Sequence, residues 1–493
     1  MPLDAILHGF TVAAEPANLG FVFIGALLGT LIGVLPGIGP ATGIALLIPL
    51  GFSMEPTPAL IMMAGVYYGA MYGGSTTSIL LNAPGEAASV MTTLDGYQMA
   101  RNGRPGAALA VSALGSFIAG TLGVLALTVL ALPIAEAALR MGPAEMSALI
   151  VFALVAVSSL SGGDVVKGLI ALTLGLAVAT VGIELQSGVS RFTFGLATLD
   201  DGIDFLVVVI GIFAVAESLT GLEELTAGTR ESVTLTGPVW LTMAEWNRSY
   251  WPILRGTVIG FGAGVLPGAG ATVASVISYT TERRLSTRKE EFGHGAIEGV
   301  AGPEAANNAA SMGSMVPLLT LGIPGSNATA VMLGGLIMYG LQPGPLLFQN
   351  QPELVWGLVA SMYFGNIILL ILNLPLVRIF VKIIDIPQQV LLPLVIALSF
   401  IGVYSLNSSV ADLVLLVVFG VVGYLLRKVG IPAAPLVMGV VLGKLLEQSM
   451  RQAVAISGGS YAIFVERPIA LAFLTAAALV ILVPFLAPTA ATE

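Results

Sequence analysis

Long apolar runs separated by short polar segments dominate the chain. They lie at 18–35, 59–82, 106–133, 144–160, 165–183, 203–221, 353–376, 388–403, 409–426 and 468–487. Each run approaches the roughly 20 residues that an α-helix needs to cross a bilayer. None alternates apolar and polar residues over about 10 positions, as the strands of an outer-membrane barrel do. The pattern predicts an all-α polytopic membrane protein with about 12 to 14 membrane elements, counting interrupted segments.

Two apolar segments are interrupted by nearly the same phrase. Residues 33–40 read GVLPGIGP, and residues 264–271 read GVLPGAGA. Proline lacks the N–H group that a helix interior needs, and glycine lets the backbone unwind, so we expect broken or re-entrant helices here. Unwound backbone at membrane depth is tolerated only where protein covers it or where it lines a polar cavity. Paired interruptions in two halves of a chain therefore predict the binding site of a transporter.

The two phrases set the register of an internal repeat. Pro36 matches Pro267 (267 − 36 = 231), and Pro84 matches Pro324 (324 − 84 = 240). The register predicts a first membrane repeat at 1–221, a polar connector at 222–248, a second repeat at 249–446, and a C-terminal loop with a final transmembrane helix at 447–493.

The distribution of Lys and Arg predicts that the two repeats have inverted topology. Residues 51–58 contain neither residue, whereas the equivalent loop of the second half carries Arg283, Arg284, Arg288 and Lys289. Cytoplasmic loops are enriched in Lys and Arg, so the two loops are expected on opposite sides of the membrane. A chance difference between single loops is the alternative.

Helices that restart after the breaks expose free N–H groups and the positive end of the helix dipole, which suits an anion. The alternative is a proline kink packed against a small-residue neighbour. On the binding-site hypothesis, Gly37 and Gly268 should tolerate alanine far worse than Gly25 or Gly260. The predicted substrate-binding residues are Pro36, Gly37, Gly39, Thr42, Ser75, Thr76, Pro267, Gly268, Gly270, Thr272 and Ser326.

A second interruption in each half is rich in hydroxyl and amide groups. Such hard oxygen donors suit Na⁺, the only metal ion expected, and no cofactor is predicted beyond a coupling ion, Na⁺ or H⁺. Glu86 could carry a cation or a proton, or simply cap the restarting helix, and the small residues could serve helix packing alone. The predicted cation-coupling residues are Thr77, Asn82, Gly85, Glu86, Asn307, Asn308, Gly325 and Asn327.

Composition narrows the functional classes. The 493 residues are 56% hydrophobic and 10% charged, against about 25% charged in a globular protein. With no cysteine and two histidines, thiol chemistry is excluded and a membrane-embedded enzyme is not expected. No basic patch indicates nucleic acid. Glu217 is interpreted as interfacial, and no intramembrane Arg or Lys is apparent, so helix ends and bound cations are expected to neutralise an anionic substrate.

Several motifs resemble the large membrane subunit of the tripartite tricarboxylate transporter family. They occupy residues 33–43, 68–82, 83–85, 302–308 and 320–325, within a likeness that extends over almost the whole chain. The resemblance implies a multi-pass carrier of the bacterial inner membrane that imports citrate or another organic carboxylate on an ion gradient. It also implies two partners, a periplasmic solute-binding protein and a small membrane subunit of four helices. An ion channel or pore, and a stand-alone ion-coupled anion carrier without a binding protein, are the alternatives.

Overall fold

Helices form most of the part of the chain that the structure describes. A computed structural model describes residues 2–35, 38–51, 54–160, 164–184, 188–224, 233–235, 237–382 and 388–486. The helices of the first half are α1 (Pro2–Ala13), α2 (Pro16–Val34), α3 (Pro40–Gly51), α4 (Pro56–Leu81), α5 (Val90–Arg101), α6 (Pro105–Ala138), α7 (Pro143–Leu160), α8 (Val165–Ala179), α9 (Phe205–Val209) and α10 (Ala216–Glu224).

The second half continues the all-helical pattern. Its helices are α11 (Met243–Val265), α12 (Gly270–Leu285), α13 (Glu298–Leu321), α14 (Asn327–Met338), α15 (Pro345–Asn350), α16 (Pro352–Asn373), α17 (Val377–Val381), α18 (Gln388–Asn407), α19 (Val410–Lys428), α20 (Ala433–Ile456), α21 (Ile463–Glu466) and α22 (Pro468–Leu486). The predicted all-α fold class is therefore confirmed.

Short elements complete the secondary structure. Strands β1 (Gly182–Ile183) and β2 (Ser190–Arg191) pair antiparallel after α8. A π-helical stretch, Ile210–Val215, joins α9 to α10 into one continuous segment. Single 3₁₀ turns lie at Ala87–Ser89, Ala197–Leu199 and Lys289–Glu291.

Seven of the described helices are long and apolar enough to cross a membrane. They are Pro16–Val34, Pro105–Ala138, Pro143–Leu160, Phe205–Glu223, Pro352–Asn373, Gln389–Asn407 and Val410–Lys428. This finding confirms a multi-pass membrane protein. The total of about 12 to 14 membrane elements stays a prediction.

Helices α4 and α13 form the centre of the molecule. They have 26 and 24 residues, and nearly all of their side chains are buried. Helix α2 packs along α4, and α11 packs along α13. Both pairs approach closely because glycines recur every four residues at Gly25, Gly29 and Gly33 in α2, and at Gly256, Gly260 and Gly264 in α11. A Cβ atom at any of these six positions would overlap the backbone of the facing helix, the typical use of small residues between membrane helices.

Two details bear on the predicted repeats. The helix pairs of the two halves make equivalent contacts, which supports an internal repeat, while the inversion of the halves stays a prediction. The predicted boundary between residues 446 and 447 falls inside α20, so residues 447–456 are helical and are not the loop that the sequence analysis expected. Helix α20 continues because its one proline, Pro435, lies in the first turn, and residues 436–456 contain none.

Candidate functional site

Four interruptions of the helices meet around one cavity of about 690 Å³. Two of them follow α2 and α11, and the other two follow α4 and α13. Four helices, α3, α12, α14 and α20, begin at this cavity, so their N-terminal residues form part of its wall. The predicted site residues that line it are Gly39, Thr42, Gly85, Glu86, Gly268, Gly270, Thr272, Gly325, Ser326 and Asn327.

The break after α11 requires glycine. Gly268 has φ +85° and Gly270 has φ +57°, both in the left-handed region that side chains rarely adopt. A Cβ on Gly268 would also overlap the backbone of Val157. Pro267 is buried just before the cavity wall. In the first half, Pro36 and Gly37 lie outside the described residues, and the chain is described again from Ile38 to the start of α3.

The breaks after α4 and α13 are built alike. Asn82 and Gly322, at equivalent positions, end the two helices in the left-handed conformation with φ 53° and φ 69°. Each break is followed by a Pro-Gly pair and then by a capping box. Glu86 forms that box with Ser89, and Ser326 forms it with Thr329.

Glu86 brings a carboxylate to the cavity wall. Its capping contacts satisfy part of the side chain, but its Oε1 atom is buried and accepts no hydrogen bond from any described residue. A buried carboxylate oxygen without a donor is costly, so this atom is available to a ligand of the cavity. Capping and binding, the two alternatives from the sequence, are therefore compatible in one side chain.

Thr42 has a structural hydrogen bond as well as a place in the wall. Its Oγ1 atom donates to the Phe213 carbonyl oxygen at 3.0 Å. Phe213 belongs to the π-helical stretch, where the helical hydrogen-bond pattern is displaced, and such stretches are frequent at functional sites. The bond ties the start of α3 to the segment between α9 and α10, and both line the cavity.

An arginine that the sequence analysis missed also lines the cavity. Arg427, in the last turn of α19, forms an ion pair with Glu217 of α10, and both side chains are part of the wall. The sequence analysis expected helix ends and bound cations to neutralise the substrate, and Arg427 adds a positive charge to the cavity wall. The interfacial position of Glu217 stays a prediction. Arg427 is the one Arg or Lys among the described lining residues. Its place depends on packing between distant helices, for which the sequence contains no local signal.

The other predicted residues that the structure describes do not line the cavity. Ser75 and Asn307 donate to the Glu304 carboxylate, and Asn308 donates to the Ser116 hydroxyl at 2.7 Å. Thr77 donates to the Gly74 carbonyl at 3.1 Å. Thr76 is buried within α4, and Asn82 is exposed at its end. The structure thus brings ten predicted residues to the cavity and places three others, Ser75, Asn307 and Asn308, in a separate buried cluster around Glu304.

The sequence-based choice of tolerant glycines was wrong. Gly25 lies against the Met62 backbone, and Gly260 lies against the Ala306 backbone, so neither position has room for a methyl group. Both belong to the helix contacts described above. In contrast, a Cβ on Gly39 would have no heavy atom within 4 Å.

Comparison with known proteins settles the family. The model of the Tripartite tricarboxylate transporter TctA family matches residues 19–438. The chain belongs to this family. As a TctA family member, it is a membrane subunit of a tripartite transport system, in agreement with its apolar helices.

Two relatives come from Agrobacterium vitis. The "uncharacterized 52.8 kDa protein in TAR-I ttuC' 3'region" is 47% identical over 467 residues, covering 94% of this chain and 93% of the relative. The "uncharacterized protein in TAR-II ttuC' 3'region" is 50% identical over 211 residues, covering 43% of this chain and 87% of the relative. No solved structure matches the chain.

Proposed function

We propose that this TctA family subunit carries organic carboxylates, citrate or a related di-, tri- or aromatic carboxylate, across the bacterial inner membrane. The substrate is delivered by a periplasmic solute-binding protein, and a small four-helix membrane subunit completes the system. A gradient of Na⁺ or H⁺ drives the import. The protein acts as a carrier and performs no catalysis.

One observation carries the proposal. Arg427 and the N-terminal residues of four helices line the same cavity. Helix N-termini present N–H groups and a positive dipole end to an anion, and guanidinium groups bind carboxylates in a planar fork. Glu217 balances the charge of Arg427 and orients it beside the cavity. A carboxylate of the substrate can then share the guanidinium with Glu217.

The four breaks also match the arrangement that a carrier needs. Substrate sites of secondary transporters lie where interrupted helices of two repeats meet. Rocking of one repeat against the other then exposes the site to each side of the membrane in turn. Both halves of this chain contribute two breaks to the cavity wall. A pore would need a continuous polar path across the membrane, and the rate of uptake through it would not saturate as the substrate concentration rises.

The experiment is calorimetric binding of citrate to the purified subunit, compared with its Arg427→Gln and Lys428→Gln variants. Lys428 follows Arg427 and pairs with Glu223, but it does not line the cavity, so it is the matched control. We expect Arg427→Gln to weaken citrate binding at least about tenfold, or about 1.4 kcal/mol, and Lys428→Gln to leave it unchanged. Equal affinities in all three proteins would refute a carboxylate site in this cavity.

Uptake into proteoliposomes separates the alternatives. We expect saturable uptake of radiolabelled citrate that needs both the binding protein and the small subunit. Uptake that does not saturate would indicate a pore. Saturable uptake by this subunit alone would indicate a stand-alone carrier.

A further inference from the structure

A second polar centre lies away from the cavity, around Glu304 of α13. Glu304 is completely buried, and its carboxylate accepts four hydrogen bonds from neutral groups. Ser75 of α4 donates at 2.5 Å, Ser112 of α6 at 3.2 Å and Asn307 at 3.4 Å, and Thr92 of α5 donates to the other oxygen. Four helices from the two halves of the chain thus converge on one carboxylate.

No described Lys or Arg compensates the charge of Glu304. Arg255 of α11 is paired with Glu282 of α12, and Arg248 of α11 is paired with Glu291 and Glu298. The donors around Glu304 are hydroxyl and amide groups, which carry no net charge. Transfer of an ionised carboxylate out of water is expensive unless an opposite charge comes with it.

The other acids on the neighbouring elements increase this need. Asp95 of α5 accepts backbone N–H groups from Gly293, Gly295 and Ala296, and the Tyr279 hydroxyl also donates to it. Asp95 therefore has its own partners. Glu86, at the break after α4, is a second carboxylate against α4 and supplies no positive charge. The tyrosines of α4, at positions 67, 68 and 72, supply no positive charge.

The cluster contains an oxygen without a partner. Asn308 is completely buried, and its amide nitrogen donates to Ser116 at 2.7 Å and to the Asn307 side-chain oxygen at 2.5 Å. Its own Oδ1 atom receives no hydrogen bond from any described residue. Asn307 connects Asn308 to Glu304, so the free oxygen belongs to the same network.

We propose that the Glu304 cluster binds the single monovalent cation, a proton or Na⁺, that is coupled to transport. One buried carboxylate calls for one positive charge, and its oxygen-rich surroundings suit a hard cation. The proposal rests on the proposed transport function. It places the coupling ion at Glu304 and its hydrogen-bond partners, outside the substrate cavity.

A chain of contacts joins the cluster to the cavity. Adjacent residues of α4 face the two acids, since Ser75 donates to Glu304 and Gly74 lies beneath the Glu86 side chain. On α13, Ser314 follows Asn308 along the helix and contacts the hydroxyl of Tyr67, a residue of the cavity wall, at 3.1 Å. A cation at Glu304 therefore acts on the two helices whose ends form breaks at the cavity.

The test measures cation binding directly on the purified full-length subunit, without any substrate. One arm measures binding of ²²Na⁺, and the other follows the infrared band of protonated carboxyl groups as pH is varied. We expect the wild type to show saturable Na⁺ binding or a titrating buried carboxyl. Glu304→Gln should abolish that signal.

Ser112→Ala is a second, milder variant that tests the proposal even if Glu304→Gln does not fold. It removes one donor from the carboxylate, so Na⁺ binding should weaken at least about fivefold, or the carboxyl titration should move to higher pH because the ionised form loses a partner. Ser361→Ala is the control, since that buried hydroxyl bonds within its own helix. The proposal is overturned if the wild type gives neither signal, or if Glu304→Gln retains it.

Transport distinguishes this proposal from the carrier function. In proteoliposomes, Glu304→Gln should lose gradient-driven accumulation of citrate but keep exchange of internal for external citrate. Gradient-driven accumulation by Glu304→Gln would overturn the coupling role while the carrier function stands. Absence of any citrate transport by the wild type, with cation binding intact, would refute the carrier function alone.

Discussion

The Tyr67 hydroxyl lies 2.9 Å from the Ser326 hydroxyl. This hydrogen bond joins a helix of the first half of the chain to a helix break of the second half. Ser326 is the N-cap of α14, and Tyr67 lies in the middle of α4. Both residues line the cavity. Movement of α4 relative to this break would have to change or break the contact, which makes it a sensitive point of the cavity wall.

Replacement of Tyr67 by Phe should destabilise the protein modestly. The hydroxyl interacts with Ser314 and Ser326, and its loss should lower the free energy of unfolding by about 1 kcal/mol. Tyr68→Phe is the matched control, because the Tyr68 hydroxyl is buried without a partner among the described residues, so its removal should be neutral or stabilising. Thermal unfolding of the purified variants measures both. Equal shifts for the two variants would contradict the role given to the Tyr67 contact.

The sequence predicted the helices and the breaks because both depend on local chemistry. Each long apolar run became a helix, as the run at 106–133 did in α6. The Pro-Gly phrases interrupt helices because proline removes a donor and glycine permits the left-handed backbone seen at Gly268 and Gly270. The two breaks in each half were therefore predictable from the local sequence.

The sequence could not predict which polar side chains share a site. Helix α4 is buried on every side, so no periodicity separates Tyr67, which faces the cavity, from Ser75, which contacts Glu304. Arg427 stands at a helix end where Arg is typical of the membrane surface, and only its packing against Glu217 places it in the cavity wall. Such contacts join helices that are far apart in the sequence. Arg427 and Glu217, for example, are separated by 210 residues.

Gly260→Ala should reduce the amount of folded protein. The added methyl group would overlap the Ala306 backbone, and such overpacking typically costs about 1–3 kcal/mol. Gly262→Ala, two positions away in the same helix, is the control, because a Cβ there would have no heavy atom within 4 Å. Abundance in the membrane and the thermal unfolding midpoint measure the difference. If both variants accumulate like the wild type, the close packing of α11 on α13 is not required.

Gly39→Ala should leave folding intact but weaken ligand binding. Gly39 lines the cavity, and an added Cβ would have no heavy atom within 4 Å. The methyl group then occupies space that a bound carboxylate would use, so we expect citrate affinity to fall about three- to tenfold, or roughly 0.7 to 1.4 kcal/mol. Calorimetry on folded protein measures it, with Gly262→Ala again as the control. Unchanged affinity would indicate that the substrate does not approach the start of α3.

The inverted topology is testable because the chain contains no cysteine. Glu55, between α3 and α4, and Thr287, after α12, are exposed residues in loops that the repeat makes equivalent. The loop at Thr287 carries several Lys and Arg residues, so it should be cytoplasmic, whereas Glu55 should face the periplasm. We expect Glu55→Cys to react with a membrane-impermeant maleimide in intact cells, and Thr287→Cys to react only after the membrane is opened. Both variants must first support normal abundance, so that misfolded protein does not produce the signal. Labelling of both cysteines from the same side would mean that the two halves have parallel orientation, and the carrier would then need another route to alternating access.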